Sequence, residues 1–322
     1  MSRGVKIGIA VSILLIVVGL ILFGSVMVKL DWDFTKLSTA KYETREHTVA
    51  ENYESLRINV GTANVKLLPS ENGDTRVVCY EQEKVIHQVE VKDGVQTVEV
   101  KDTRKWYQHN GIFFGSPKVT LYLPAGMYKD FEITADTGSV EIPGDFSADS
   151  IAISTDTGRV TCQASAADTI RIKVSTGSIR LKDLSAGEIT LTSSTGGVTV
   201  TRTTCAGALS VRVSTGKTVL EDVACQSLVS KGDTGSLRMK NVTASKGFLI
   251  ERDTGNVTFE GCDAAEIKVT TDTGNVTGSL LTEKTFVTYT DTGKTEVPNT
   301  AGGRCEITTN TGNIKIWIAV QE

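Results

Sequence analysis

From residue 131 to the end, apolar and polar positions alternate in short runs that return with a fixed period. FEITADTGSVEI, IAISTDTGRV, IRIKVSTGSI, ITLTSSTGGV and LSVRVSTGKT are followed by GDTGSL, RDTGNV, TDTGNV, TDTGKT and TNTGNI. Their glycines are Gly138, Gly158, Gly177, Gly196, Gly216, Gly235, Gly255, Gly274, Gly293 and Gly312, always 19 or 20 residues apart. Seven residues before each Gly the side chain is apolar in all ten units, from Phe131 to Cys305. Two residues later it is aliphatic except at Ser230 and Thr288, so this arm has the period-two rhythm of a half-buried strand. A second arm opens two residues after the Gly with Val140, Val160, Ile179 and their equivalents. Each unit therefore reads as strand, Thr-Gly corner, strand and a looser third side carrying Leu184, Val223, Val242 or Leu281. One such unit cannot bury its apolar face, whereas units stacked in register share one interior column. The pattern predicts an all-β fold, a parallel β-solenoid (β-helix) of about ten coils over 131–322, its corner glycines turning with φ > 0.

Upstream, 51–130 is a weaker version of the same language. Leu56, Ile58 and Val60 alternate, GTANVKLL resembles a degenerate corner, and VEVKDGVQTVEV predicts a hairpin with a Lys-Asp-Gly turn. This strand-rich region is expected to cap the open edge of the first coil. Residues 29–50, polar and mixed, are expected to be a linker or stalk.

Between Ile7 and Val28 lie 22 residues without a charge. As a helix they span roughly 33 Å, enough to cross a bilayer. Arg3 and Lys6 precede this stretch, while Lys29, Asp31 and Asp33 follow it, which favours 1–6 in the cytoplasm, 7–28 as a single transmembrane helix and an extracytoplasmic C-terminal domain. A cleaved signal peptide is the competing reading, but the run is longer than such segments and no A-x-A site follows it.

Composition adds limits. Among 322 residues there are 30 Gly, 5 Pro and 6% aromatics, which suits strands and tight turns. A net charge of -4 supplies no basic patch for nucleic acid. The six cysteines form no C-x-x-C pair.

The D-T-G and S-T-G corners, preceded by a strand-rich segment that ends in the V-x-L-x-L-P strand Val119–Pro124, resemble the bacterial putative-adhesin family of β-strand repeat proteins, a domain of unknown function. The resemblance covers roughly 50–320. It implies a β-repeat domain of the cell surface or envelope, in some members membrane-anchored and encoded with envelope-stress systems, and it carries no catalytic residues.

D-T-G also marks aspartic proteases, which pair one such Asp from each of two lobes. Here the copies at Asp136, Asp156, Asp233, Asp253, Asp272 and Asp291 lie along one edge, without the apolar residue expected before the Asp. STGKT at 214–218 and DTGKT at 291–295 lack the first Gly of a phosphate-binding loop. His47, His87 and His109 have no metal-ligand partner nearby in sequence and read as surface or hairpin histidines, so no cofactor is expected. Asp233, Asp253, Asp272 and Asp291 would stack on successive coils and repel one another. Asx-turn hydrogen bonds to corner N–H groups, with Lys231 and Arg252 nearby, would offset this; the alternative is a candidate Ca²⁺ ladder. The aromatic stretch with Trp106, Tyr107, Phe113 and Phe114 is either an exposed binding patch or the packing of a hairpin over the end coil. Cys205 and Cys225 fall at the same position of consecutive units, within reach of a disulfide. Together these readings give a non-enzymatic envelope adhesin, scaffold or binding module for an envelope glycan or protein ligand. The alternatives are a partner of an envelope-stress system and, less favoured, a polysaccharide-active enzyme.

Overall fold

The structure, a computed structural model, describes residues 2–38, 41–106 and 115–319. The N-terminal helix α1 runs Arg3–Lys29. Its apolar side chains are exposed apart from Met27, which the following turn covers, the Trp32 N–H donating to the Met27 carbonyl at 2.9 Å. A short 3-10 turn, Phe34–Leu37, lays Phe34 6.5 Å from Phe23.

All the strands belong to one continuous sheet. From Gly126 to Leu280 they form parallel coils in the predicted register. Phe131, Ile151, Ile170, Ile189, Leu209, Leu228, Phe248 and Ile267 stack in one inward column, each paired with the next. The second arm stacks likewise through Val140, Val160, Ile179 and Val198. Inward residues are buried and those between them face out, so the apolar burial that stabilises each coil comes from its two neighbours.

All the corner glycines except Gly274 have positive φ, for instance +152° at Gly138 and +140° at Gly196. A second constraint is stronger. A Cβ on Gly196 would occupy the carbonyl of Gly177, one on Gly177 that of Gly158, and so along the stack. Except in the outermost coil, each corner N–H donates to a threonine carbonyl of the next coil in the stack, as Gly196 does to Thr215 at 2.8 Å. Late in the stack an asparagine ladder seals the corner. The Asn256 Oδ1 accepts the Asn275 N–H at 2.9 Å, the Asn275 Oδ1 that of Asn313 at 2.8 Å, and the Asn313 Oδ1 that of Lys294 at 2.9 Å.

The third side is better ordered than its sequence suggests. Six residues beyond five of the glycines the chain turns in the left-handed region, at Asp183, Arg202, Asp222, Asn241 and Gly261, with φ from +46° to +60°. Short polar side chains and Gly tolerate this conformation best. The column is cross-linked by Arg202 to Asp183 at 3.0 Å and by Asn241 Nδ2 to Asp222 at 2.9 Å. Beyond this corner the inward column narrows to small residues, Ala148, Ala166, Ala186, Cys205, then Cys225, Ala244 and Ala264.

Both ends depart from sequence order. Strands β1 (Tyr42–Val49), β2 (Ser55–Thr62), β3 (Asn64–Pro69), β4 (Thr75–Gln82), β5 (Val85–Lys92), β6 (Val95–Asp102) and β7 (Lys118–Leu123) make the N-terminal end. β2 and β3 are a true coil with Ala63 at the corner, stacked parallel on the Gly138 coil. β6 and β7 lie parallel on their far side as a further layer, although they follow in sequence. Antiparallel strands then close the end, β5 against β6 and β4 against β7. The β5–β6 turn is the expected hairpin, Asp93 and Gly94 both having positive φ. β1 pairs with β4, so 42–49, expected as linker, is an edge strand whose Glu43, Arg45 and Glu46 discourage edge-to-edge association. The region expected to be only a cap thus adds two layers to the solenoid.

At the far end the last repeat is intercalated. Gly303–Thr311 pairs on one side with the Gly274 coil, Ile267 opposite Cys305, and on the other with Lys284–Thr292, Phe286 opposite Cys305. The stack therefore runs Gly274, Gly312, Gly293. The Lys284 ammonium, nearly buried, reaches back to the Ala264 carbonyl and the Asp263 carboxylate, both at 2.7 Å, and plugs the third side.

Candidate functional site

The intercalated order corrects the acidic ladder. Asp233, Asp253 and Asp272 do occupy successive coils, but Asn310 stands between Asp272 and Asp291, its Nδ2 donating to Asp272 at 3.4 Å. Nor do the expected partners serve it. The corner N–H groups are bonded to threonine carbonyls and Lys231 pairs with Glu251 at 2.6 Å. Arg252 turns inward into the space left by Gly232, where its Nη2 donates to Ser230 Oγ at 2.7 Å. Burial pulls its guanidinium down to about 10, against the pull of Asp233. An ordered Ca²⁺ row along four neighbouring carboxylates is not what this edge presents.

Of the aromatic stretch, Trp106 is 82% exposed; Tyr107, Phe113 and Phe114 lie outside the described residues. Cys205 and Cys225 both face inward as free thiols in the narrow column. They are held in opposite directions, Cys205 Sγ donating to the Gly187 carbonyl of the preceding coil at 3.4 Å and Cys225 Sγ to the Thr243 carbonyl of the following one at 3.7 Å.

The densest chemistry sits elsewhere. Alternation on β4 turns Thr75, Val77, Cys79 and Glu81 inward, and the two-residue reversal into β5 carries His87 back beside Glu81. Glu81 is fully buried. Its Oε1 accepts from Arg45 Nη1 at 2.9 Å, and its Oε2 lies 2.6 Å from both the backbone N and the Nδ1 of His87. A buried carboxylate needs such partners, because an unpaired one costs several kcal/mol of desolvation. His87 is 3% exposed, and its Nε2 has no hydrogen-bond partner among the described residues. Burial, reinforced by Glu81 and opposed by Arg45, pushes the Cys79 thiol up to about 12. His87 also lines a cavity of 480 Å³ together with Tyr42, Gln82, Val100 and Arg104. His87 is a hairpin histidine, opposite Val100 across β5–β6, but a buried one and not a surface one. The clue in the sequence was a C-x-E strand pair followed across a tight turn by His, which brings three ligand-type side chains together only when the hairpin closes.

Architecture and anchor define a class: a parallel β-solenoid behind an N-terminal apolar helix of membrane-spanning length. Within it the chain belongs to the Toastrack DUF4097 family, whose model matches residues 53–316. No curated protein matches. Among solved structures, a putative adhesin from Parabacteroides merdae ATCC 43184 is 12% identical, with a TM-score of 0.51, covering 87% of this chain and 98% of its own. A putative adhesin from Parabacteroides distasonis ATCC 8503 is 15% identical (TM-score 0.49; 86% and 98% covered). A putative lipid binding protein from the same organism is 17% identical (TM-score 0.49; 75% and 98% covered). At these identities the likeness concerns the fold.

Proposed function

We propose that the chain is a non-enzymatic envelope protein, in which α1 crosses the cell membrane once and the solenoid stands outside the cytoplasm as a rigid binding or scaffolding rod. The observation that carries the reading is the regularity of the coils. Units of nearly constant length place no long loops beside the faces, so the surface on offer is broad and shallow rather than a cleft. On the first-arm face, two open depressions of 350 and 420 Å³ are lined by alternating charges, Glu132, Arg171 and Lys173 in one, Lys246, Glu266 and Arg304 in the other. A face of this kind, charged side chains beside a more apolar floor, suits an extended envelope polysaccharide or a protein ligand. The name of one structural neighbour, a putative adhesin, agrees with binding rather than turnover.

The test uses the full chain in detergent micelles, incubated with purified envelope polysaccharides. We expect retention of polymer with its length distribution unchanged, and weaker retention by the Arg171→Glu, Lys173→Glu double variant. Shortening of any polymer in proportion to protein added would replace this reading with the enzymatic one.

A further inference from the structure

The N-terminal end holds a cluster that neither solenoid packing nor a binding face requires. One ligand atom each from Cys79, Glu81 and His87 lies within 4.8 Å of the others, and all three residues are buried. Tetrahedral coordination at ordinary zinc bond lengths needs ligand atoms roughly 3.3–3.8 Å apart, so side-chain adjustments of about 1 Å would close the set. The donor types decide among metals. A thiolate, an imidazole and a carboxylate are too few and too soft for Ca²⁺ or Mg²⁺, which want six or more oxygens, whereas they match the three-ligand sets that hold Zn²⁺ with a fourth position open.

Glu81 Oε2 and His87 Nδ1 already face each other at 2.6 Å, so an ion seated between them would take over that contact. The Nε2 of His87, on the ring edge away from it, is buried without a hydrogen-bond partner among the described residues. Of the three residues, His87 also lines the 480 Å³ cavity. Arg45 sits on the outer oxygen of Glu81, where it orients the carboxylate and offsets part of the negative charge that thiolate and carboxylate bring together.

We propose that Cys79, Glu81 and His87 form a Zn²⁺ site that pins the β4–β5 reversal against the outermost layers of the solenoid. Binding forms the Zn–S bond and releases the Cys79 thiol proton to solvent, with no change of oxidation state. Because β4 pairs with β1 and with β7, one ion there would tie β1, the first described strand after α1, to the rod.

The experiment uses the full chain in detergent, stripped with chelator and reloaded with Zn²⁺ or Co²⁺. One equivalent of metal should survive dialysis by mass spectrometry of the metal. The Co²⁺ form should show a near-ultraviolet thiolate-to-cobalt band, which Cys79→Ser abolishes and Cys205→Ser leaves intact. His87→Gln should weaken Zn²⁺ binding at least about tenfold. Amides of 85–91 should exchange more slowly in the loaded wild type, a readout independent of any variant's folding. Failure of the wild type to retain metal overturns the proposal, as does a thiolate band that persists in Cys79→Ser.

Discussion

Replacing Gly196 by alanine lowers the stability of the solenoid by about 3 kcal/mol, whereas the same change at Gly73 costs about 1 kcal/mol. Both glycines have positive φ, +140° at Gly196 and +79° at Gly73, so each alanine carries the conformational penalty of that region. They differ in what surrounds the new methyl group. At Gly73 nothing lies within 4 Å, while at Gly196 the methyl coincides with the backbone carbonyl of Gly177. Backbone cannot swing aside like a side chain. Relief requires prising apart two coils, which gives up the Gly177 N–H to Thr195 bond and the packing of the neighbouring columns. Denaturant melts of the two variants and the wild type measure the difference. Equal losses at the two sites would mean that φ alone explains the corner glycines.

Oxidation of an Asp272→Cys, Asn310→Cys double variant yields an intrachain disulfide in nearly all molecules, and an Asp272→Cys, Asp291→Cys variant yields almost none. Adjacent parallel coils put equivalent Cα atoms about 4.8 Å apart, inside the range a disulfide spans, and coils two layers apart put them near about 9.6 Å, beyond it. All three positions are exposed, and the six native cysteines are buried, so the background is silent. A stack in sequence order predicts the opposite pair of results. The last repeat has ladder partners on both sides, and the outermost coil, Lys284–Thr292, is fixed by Lys284 reaching to Asp263 and Ala264.

The inward columns were legible because burial imposes period two on every arm and stacking imposes the same residue class at each repeat. The Thr-Gly corner was legible as a turn, but the deeper reason for its glycine, contact with the preceding coil's carbonyl, exists only once coils are stacked. The order of the last coils was not legible. Thr273, Thr311 and Thr292 are identical at the pairing positions, so sequence offers no preference between neighbours, and the Asp ladder drawn from it was interrupted by Asn310. The second corner escaped notice because Asp183, Arg202, Asp222, Asn241 and Gly261 share a conformation rather than a side-chain type. The cluster at Cys79, Glu81 and His87 escaped for a related reason. Its members come from two strands of a non-repeating end, where no column of equivalents marks them as special.

The central claim, one membrane crossing with the rod outside, is tested most directly by labelling intact cells with a membrane-impermeant maleimide. Lys217→Cys places an exposed thiol on a mid-stack corner and Ser2→Cys one just before α1, while the native thiols stay buried. The account predicts that Lys217→Cys is labelled in intact cells and Ser2→Cys only after lysis. Protection of Lys217→Cys until lysis, with Ser2→Cys labelled from outside, would contradict it.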